Sequence, residues 1–167
     1  MTWLRKDRLD DDVLAQLRLQ PGERVLAFGV DPDGRAVVGT DRGLLLQRTP
    51  PQYSRVLWHE IDRASFADDL LTVQLPVEPG GDPSRLRIRL AVTGRLPEVV
   101  RDRVTASVVL DQHVPLRGRE GVRVVARRRP DGDVLQWGFV VDEGLVLTAD
   151  EMASAQVAVG EIRAEYG

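Results

Sequence analysis

The clearest periodicity in the chain is Arg85-Leu86-Arg87-Ile88-Arg89-Leu90, where cationic and aliphatic side chains alternate without a break. A period of two puts three arginines on one face and three aliphatics on the other, the pattern of a half-buried strand. Leu70 to Leu75 repeats it, with Leu71, Val73 and Leu75 alternating with Thr72 and Gln74. Earlier, short apolar runs are punctuated by turn residues. Arg24 to Val30 leads into Asp31-Pro32-Asp33-Gly34, Arg35 to Thr40 into Asp41-Arg42-Gly43, and Leu44 to Arg48 into Thr49-Pro50-Pro51. Links this short permit only antiparallel neighbours, so the pattern predicts a meander that bends at the proline pair. Ser54 to Trp58 and Ile61 to Ala67 read as the fourth and fifth strands, with His59-Glu60 between them and a turn at Asp68-Asp69. Pro76 to Pro83 reads as an exposed loop.

Helical spacing appears in three places. Asp10-Asp11-Asp12 ahead of Val13, Leu14 and Leu17 predicts a short amphipathic helix, its acids at the end where the helix dipole favours them, lying as a lid on one end of a sheet. Leu96, Val100, Val104 and Val108 recur every fourth residue after Pro97-Glu98, predicting a helix over 97–110. Its valines have poor helix propensity, so burial must hold it, and a strand over 104–110 competes. Thr148-Ala149-Asp150-Glu151 has the form of a capping box, followed by Met152, Ala155, Val159 and Ile162 on one helix face. Between the last two helices, Val122 to Arg129 and Val134 to Val141 flank Pro130-Asp131-Gly132-Asp133 and predict a hairpin.

Composition narrows this picture. The 167 residues suffice for one well-cored domain, or a domain with a small addition. Hydrophobic residues at 43% against charged residues at 29% fit a folded chain, and the 5% of aromatics leaves the core to Val, Leu, Ile and Ala. The chain has no cysteine, which excludes disulfides, thiolate catalysis and cysteine-ligated metals. The N-terminus lacks the apolar stretch of a signal peptide and no apolar run spans a bilayer, so the expected location is cytoplasmic, with peripheral membrane contact as the variant. Lys6 is the only lysine beside 22 arginines, and there is no asparagine. We read this as the codon bias of a GC-rich genome, which weakens any argument from arginine count alone.

Charge is distributed in blocks. Residues 85–129 carry 12 basic and 4 acidic side chains, a net of +8, whereas 130–167 carry 1 and 8, a net of −7. Two readings fit: a basic binding face, or a basic and an acidic part that pair with each other.

Three segments carry a family resemblance: Pro21-Gly22-Glu23-Arg24-Val25-Leu26-Ala27, Val38-Gly39-Thr40-Asp41-Arg42-Gly43-Leu44 and Trp58-His59-Glu60-Ile61. With seven short strands followed by one helix, they resemble the bacterial pleckstrin-homology-like and GRAM-like group over roughly residues 19–110. The resemblance implies an α+β, mainly β fold: a bent antiparallel barrel of about seven strands closed by a helix. A ββα extension would follow it. The division expected is a short N-terminal helix over 1–20, barrel and helix over 21–112, and the hairpin with its terminal helix, packed on the barrel, over 113–167. Lipid-binding members place basic residues around the loop joining the first two strands; here that loop is the acidic Asp31-Pro32-Asp33-Gly34, with only Arg35 beside it.

Candidate chemistry is thin. His59, Glu60 and Asp62 could be a metal or acid–base cluster, but a lone imidazole is a weak metal signal, and Trp58 as a core anchor with polar neighbours explains the segment more simply. His113 reads as a loop residue. No phosphate-binding loop, dinucleotide fingerprint or metalloprotease helix occurs. The expectation is therefore a non-enzyme without cofactor or metal: an interaction module binding a protein through a strand edge or the barrel–helix groove. A second copy of the chain is a further admissible partner. The alternative is peripheral binding of anionic lipid or nucleic acid through the arginine-rich 85–129 face. The candidate surface is Arg85, Arg87, Arg89, Arg123, Arg127, Arg128 and Arg129. No aromatic residue lies between Arg85 and Arg129 to stack on bases.

Overall fold

A computed structural model describes residues 8–48, 52–76, 84–130 and 132–167. The expected proline corner at Thr49-Pro50-Pro51, the N-terminal Met1–Asp7, residues 77–83 of the expected loop and Asp131 of the expected hairpin turn lie outside them. The fold is α+β and mainly β, with three antiparallel sheets and a C-terminal helix. No closed barrel is found among the described residues. The chain divides into two compact units after Val104.

In the first unit, β1 (Val25–Val30), β2 (Ala36–Thr40), β3 (Gly43–Gln47) and β4 (Tyr53–Leu57) form one sheet in chain order. Both faces of its central strands are covered: β2 is buried throughout and β3 at every position but its last. Alternation assigns the two faces to different cores. Val37, Leu44 and Leu46 join one cluster, while Ala36, Val38 and Leu45 join the other with Leu9 and Leu17. Those leucines flank α1 (Asp11–Gln16), whose N-cap Asp10 accepts from the Asp12 amide at 3.1 Å. The short acidic helix thus lies on a sheet face. Gly43 is required where β3 meets β4, because a Cβ there would stand 2.5 Å from the Val56 carbonyl oxygen.

The second sheet of this unit is β5 (Arg63–Ala67), β6 (Leu70–Gln74) and β7 (Arg85–Arg89). Its first hairpin closes through Asp68 and Asp69, both at positive φ (52° and 61°), the twist a two-residue hairpin turn demands. Leu71, Val73, Leu90 and the helix residues Leu96 and Val100 share the core cluster with Trp58 and Ile61. The helix, α2 (Leu96–Ser107), begins as expected but stops three residues earlier than the valine spacing suggested. Val108 starts β8 instead, since branched valines keep their rotamers more freely in a strand than in a helix.

The second unit holds β8 (Val108–Arg117), β9 (Glu120–Arg128), β10 (Leu135–Val141) and α3 (Ala149–Tyr166). The expected hairpin is β9–β10, and β8 adds a third strand along the other side of β9, so the addition is βββα. Val122, Val124 and Ala126 alternate inward along β9, and Ala155 and Ile162 are the buried residues of α3. The capping box forms as read: Glu151 donates its amide to Thr148 Oγ1 at 3.2 Å, and Thr148 donates its own to Glu151 Oε2 at 2.8 Å. Tyr166 in the last turn meets Trp137 of β10 edge-on, ring centroids 5.6 Å apart.

Candidate functional site

The segments that carry the family resemblance meet in a polar hub of the first unit. Glu23, its side chain fully buried, accepts from Thr40 Oγ1 at 2.6 Å, from the Gln20 amide at 2.8 Å and from the Arg55 guanidinium. Burial pushes its pKa up, but the bonds from Arg55, Thr40 and the Gln20 amide outweigh that and hold it below the usual carboxylate range. Thr40 Oγ1 also receives the amides of Arg42 and Gly43, both at 3.1 Å. The Trp58 indole donates to the Thr40 carbonyl at 2.9 Å, and Trp58 is 2% exposed. Glu23, Thr40 and Trp58 are all buried, so this hub is architecture.

His59 and Glu60 lie together in one short turn between β4 and β5. Trp58–Glu60 is a single 3-10 turn in which His59 is buried and the Glu60 carboxylate accepts the Leu57 amide at 3.0 Å. Among the described residues no group of three His, Asp or Glu side chains is placed to hold a metal ion.

The candidate arginines divide between the units. Arg85, Arg87 and Arg89 stand on β7 with exposed side chains, while Leu86 and Ile88 between them pack against the core, as the alternation predicted. None of the three makes an ion pair among the described residues. The other four belong to β9 and its end in the second unit. Arg123 donates to Asp111 at 2.7 Å, and the resulting pair holds its pKa above the ordinary value. Arg127 is only 5% exposed and reaches Ser107 Oγ at 3.3 Å. Arg128 and Arg129 are exposed. Nearby, Arg117 makes two bonds to Glu151 of the acidic terminal helix, at 2.9 and 2.6 Å, so internal pairing of basic and acidic blocks is realised there. His113 stands in β8, not in a loop, with Nε2 2.9 Å from Asp142 Oδ2. That contact and the Gly121 amide hold Asp142 below the usual range.

β7 also borders a cavity of about 350 Å³, at the small end of the roughly 300–1,000 Å³ typical of ligand sites. Its apolar lining is Val37, Leu46, Leu86 and Ile88; its cations are Arg35, Arg48, Arg87 and Arg89; its acids are Asp31 and Asp33. The acids are partly occupied. Asp31 Oδ1 accepts the amides of Asp33 at 2.9 Å and Arg35 at 2.7 Å, and Asp33 lies 4.0 Å from the Arg35 guanidinium. The site can bind an anionic, partly apolar group. Arg35 and Arg48 entered no sequence-based candidate set, because they are isolated in the chain and only the fold brings them beside β7.

No protein-family model matches the chain, and comparison with curated proteins gives no significant match. No helix of the described residues is long and apolar enough to cross a membrane.

Proposed function

We propose that the chain is a non-catalytic interaction module that holds an anionic segment of a partner protein at the arginine-rimmed cavity of the first unit. The observation that carries this reading is that Arg87 and Arg89, beside an apolar floor, make no ion pair among the described residues. Cations that stabilise a fold are met by internal carboxylates, as Arg117 and Arg123 are; cations held beside an apolar cavity favour an external anion. Peripheral binding to anionic lipid or nucleic acid draws on the same β7 arginines but needs a broad open face, and the pairing of Arg117 and Arg123 favours the smaller, local site. The pleckstrin-homology-like kinship belongs to the same proposal. It is supported by two antiparallel sheets followed by one helix that buries Leu96 and Val100.

The test is fluorescence anisotropy with a labelled seven-residue peptide alternating Glu and Val. Wild type should bind it with an affinity that falls with salt, and Arg87→Glu with Arg89→Glu should weaken it by about tenfold or more. Equal affinity in that double variant, or no binding at low salt, removes the reading.

A further inference from the structure

We infer that the partner segment enters as an added β-strand along the outer edge of β7, with acidic residues opposite the arginines and apolar residues between them. This rests on the reading above and specifies its partner. The argument begins with which main-chain groups face outward. β6 and β7 are in antiparallel register, Leu71 opposite Ile88 and Val73 opposite Leu86. The same register continues at both ends, where the Leu75 amide donates to Ser84 and the Leu90 amide to Asp69, each at 2.8 Å. In such a ladder only alternate residues bond a given neighbour. Residues 84, 86, 88 and 90 therefore turn their peptide groups to β6, and Arg85, Arg87 and Arg89 turn theirs away. Among the described residues no strand pairs with that side.

A second observation is that the end of β1 already bonds the chain just past this edge. Just beyond β7, Val30 at the end of β1 forms an antiparallel bridge to Val92. The Val30 amide donates to the Val92 carbonyl at 2.9 Å and the Ala91 amide to the Val30 carbonyl at 2.7 Å. The chain then leaves the edge at the Asp31-to-Arg35 turn, and the cavity opens where β1 would have continued beside Arg87 and Arg89. An incoming segment occupies that vacated lane, in the antiparallel sense that Val30 sets.

Chemistry selects the segment. In an antiparallel ladder the residues opposite Arg85, Arg87 and Arg89 place their side chains on the arginine face, where carboxylates make favourable cross-strand pairs. The intervening residues fall on the face of Leu86 and Ile88, next to Val37 and Leu46, where apolar side chains are required. An alternating acidic–apolar sequence meets both demands, and main-chain hydrogen bonds supply the rest.

The experiment uses the full chain and the labelled Glu–Val peptide in three forms: unmodified, N-methylated at the Glu amides, and N-methylated at the Val amides. Methylating the Glu amides, which face β7, should weaken binding by about tenfold or more, whereas methylating the Val amides should change it less than about twofold. Equal losses for both sets, or none for either, overturn strand addition while leaving the anionic-segment reading standing. Failure of the unmodified peptide to bind overturns both. Single-stranded DNA or anionic phosphatidylserine vesicles that match the peptide and compete with it overturn the peptide assignment. On the protein side, Arg85→Pro removes an outward amide that Arg85→Ala keeps, so only the proline variant should lose affinity beyond the shared loss of charge. Equal affinity of those two variants also counts against the added strand.

Discussion

β7 and the β8–β9 pair use arginine in opposite ways. On β7, three exposed arginines stand in a row, none of them in an ion pair among the described residues. On β8 and β9, Arg117 and Arg123 are met by Glu151 and Asp111, and Arg127 is drawn inside. A block that looks uniform by net charge thus separates into cations that hold the fold together and cations available to something else. The difference teaches that charge density along a chain is not itself evidence of a binding face; the state of each carboxylate nearby decides. The comparison can be broken by stability measurements, because internal arginines should cost stability when removed and open ones should not.

The largest effect is expected at the deepest pair, Glu23 with Arg55. Removing Glu23 as Glu23→Ala leaves Arg55, whose side chain is 23% exposed, without its counter-charge, and also strips acceptors from Thr40 and the Gln20 amide. Loss of one partner of a buried pair costs about 3–5 kcal/mol, measurable by urea denaturation. Acidity should act in the same direction. The folded-state pKa of Glu23 lies below its ordinary value, so its stabilisation is complete above the unfolded carboxylate pKa and is lost as pH falls through the folded one. The stability gap between wild type and Glu23→Gln should therefore narrow on acidification below about pH 4. A gap that widened in acid would contradict the hub as described.

Arg127 comes next. Its buried stem and its bond to Ser107 make Arg127→Ala a loss of both contact and hydrogen bonding, with an expected cost of about 1–3 kcal/mol. Smaller still is Arg123→Ala. Its 2.7 Å bond to Asp111 joins two groups each about 40–45% exposed, and solvent screening leaves such pairs about 0.2–1 kcal/mol. If Arg123→Ala destabilised more than Arg127→Ala, burial would not be what separates these arginines.

Much of this fold was legible in the chain because local rules act alone there. Period-two alternation placed β6 and β7, Asp-Gly and Asp-Arg-Gly turns separated the first three strands, and Thr148 with Glu151 announced α3. The end of α2 was harder, since valines spaced four apart satisfy a helix and a strand alike. What decides is that Val108 pairs with Arg127 and Leu110 with Ala126, partners more than fifteen residues away. The site was half legible for a similar reason. Alternation presented Arg85, Arg87 and Arg89 directly, whereas Arg35 and Arg48 join them only through the turn after β1 and the end of β3. Arg127 was misleading: in Arg127-Arg128-Arg129 three identical side chains differ only in which way the strand turns them.

The smallest stability effect belongs to β7 itself. Arg85→Ala, Arg87→Ala and Arg89→Ala remove exposed side chains that make no ion pair among the described residues, so each should shift unfolding free energy by no more than about 0.5 kcal/mol. Thermal and urea unfolding of the triple variant should thus stay close to wild type while its affinity for the acidic peptide collapses. The contrast with Arg127→Ala is the sharpest form of the comparison, because both remove only arginine side chains and both remove them from a strand. A triple variant that lost several kcal/mol would show that the row on β7 is held by contacts within the fold. An anionic partner would then have to displace those contacts before it could bind.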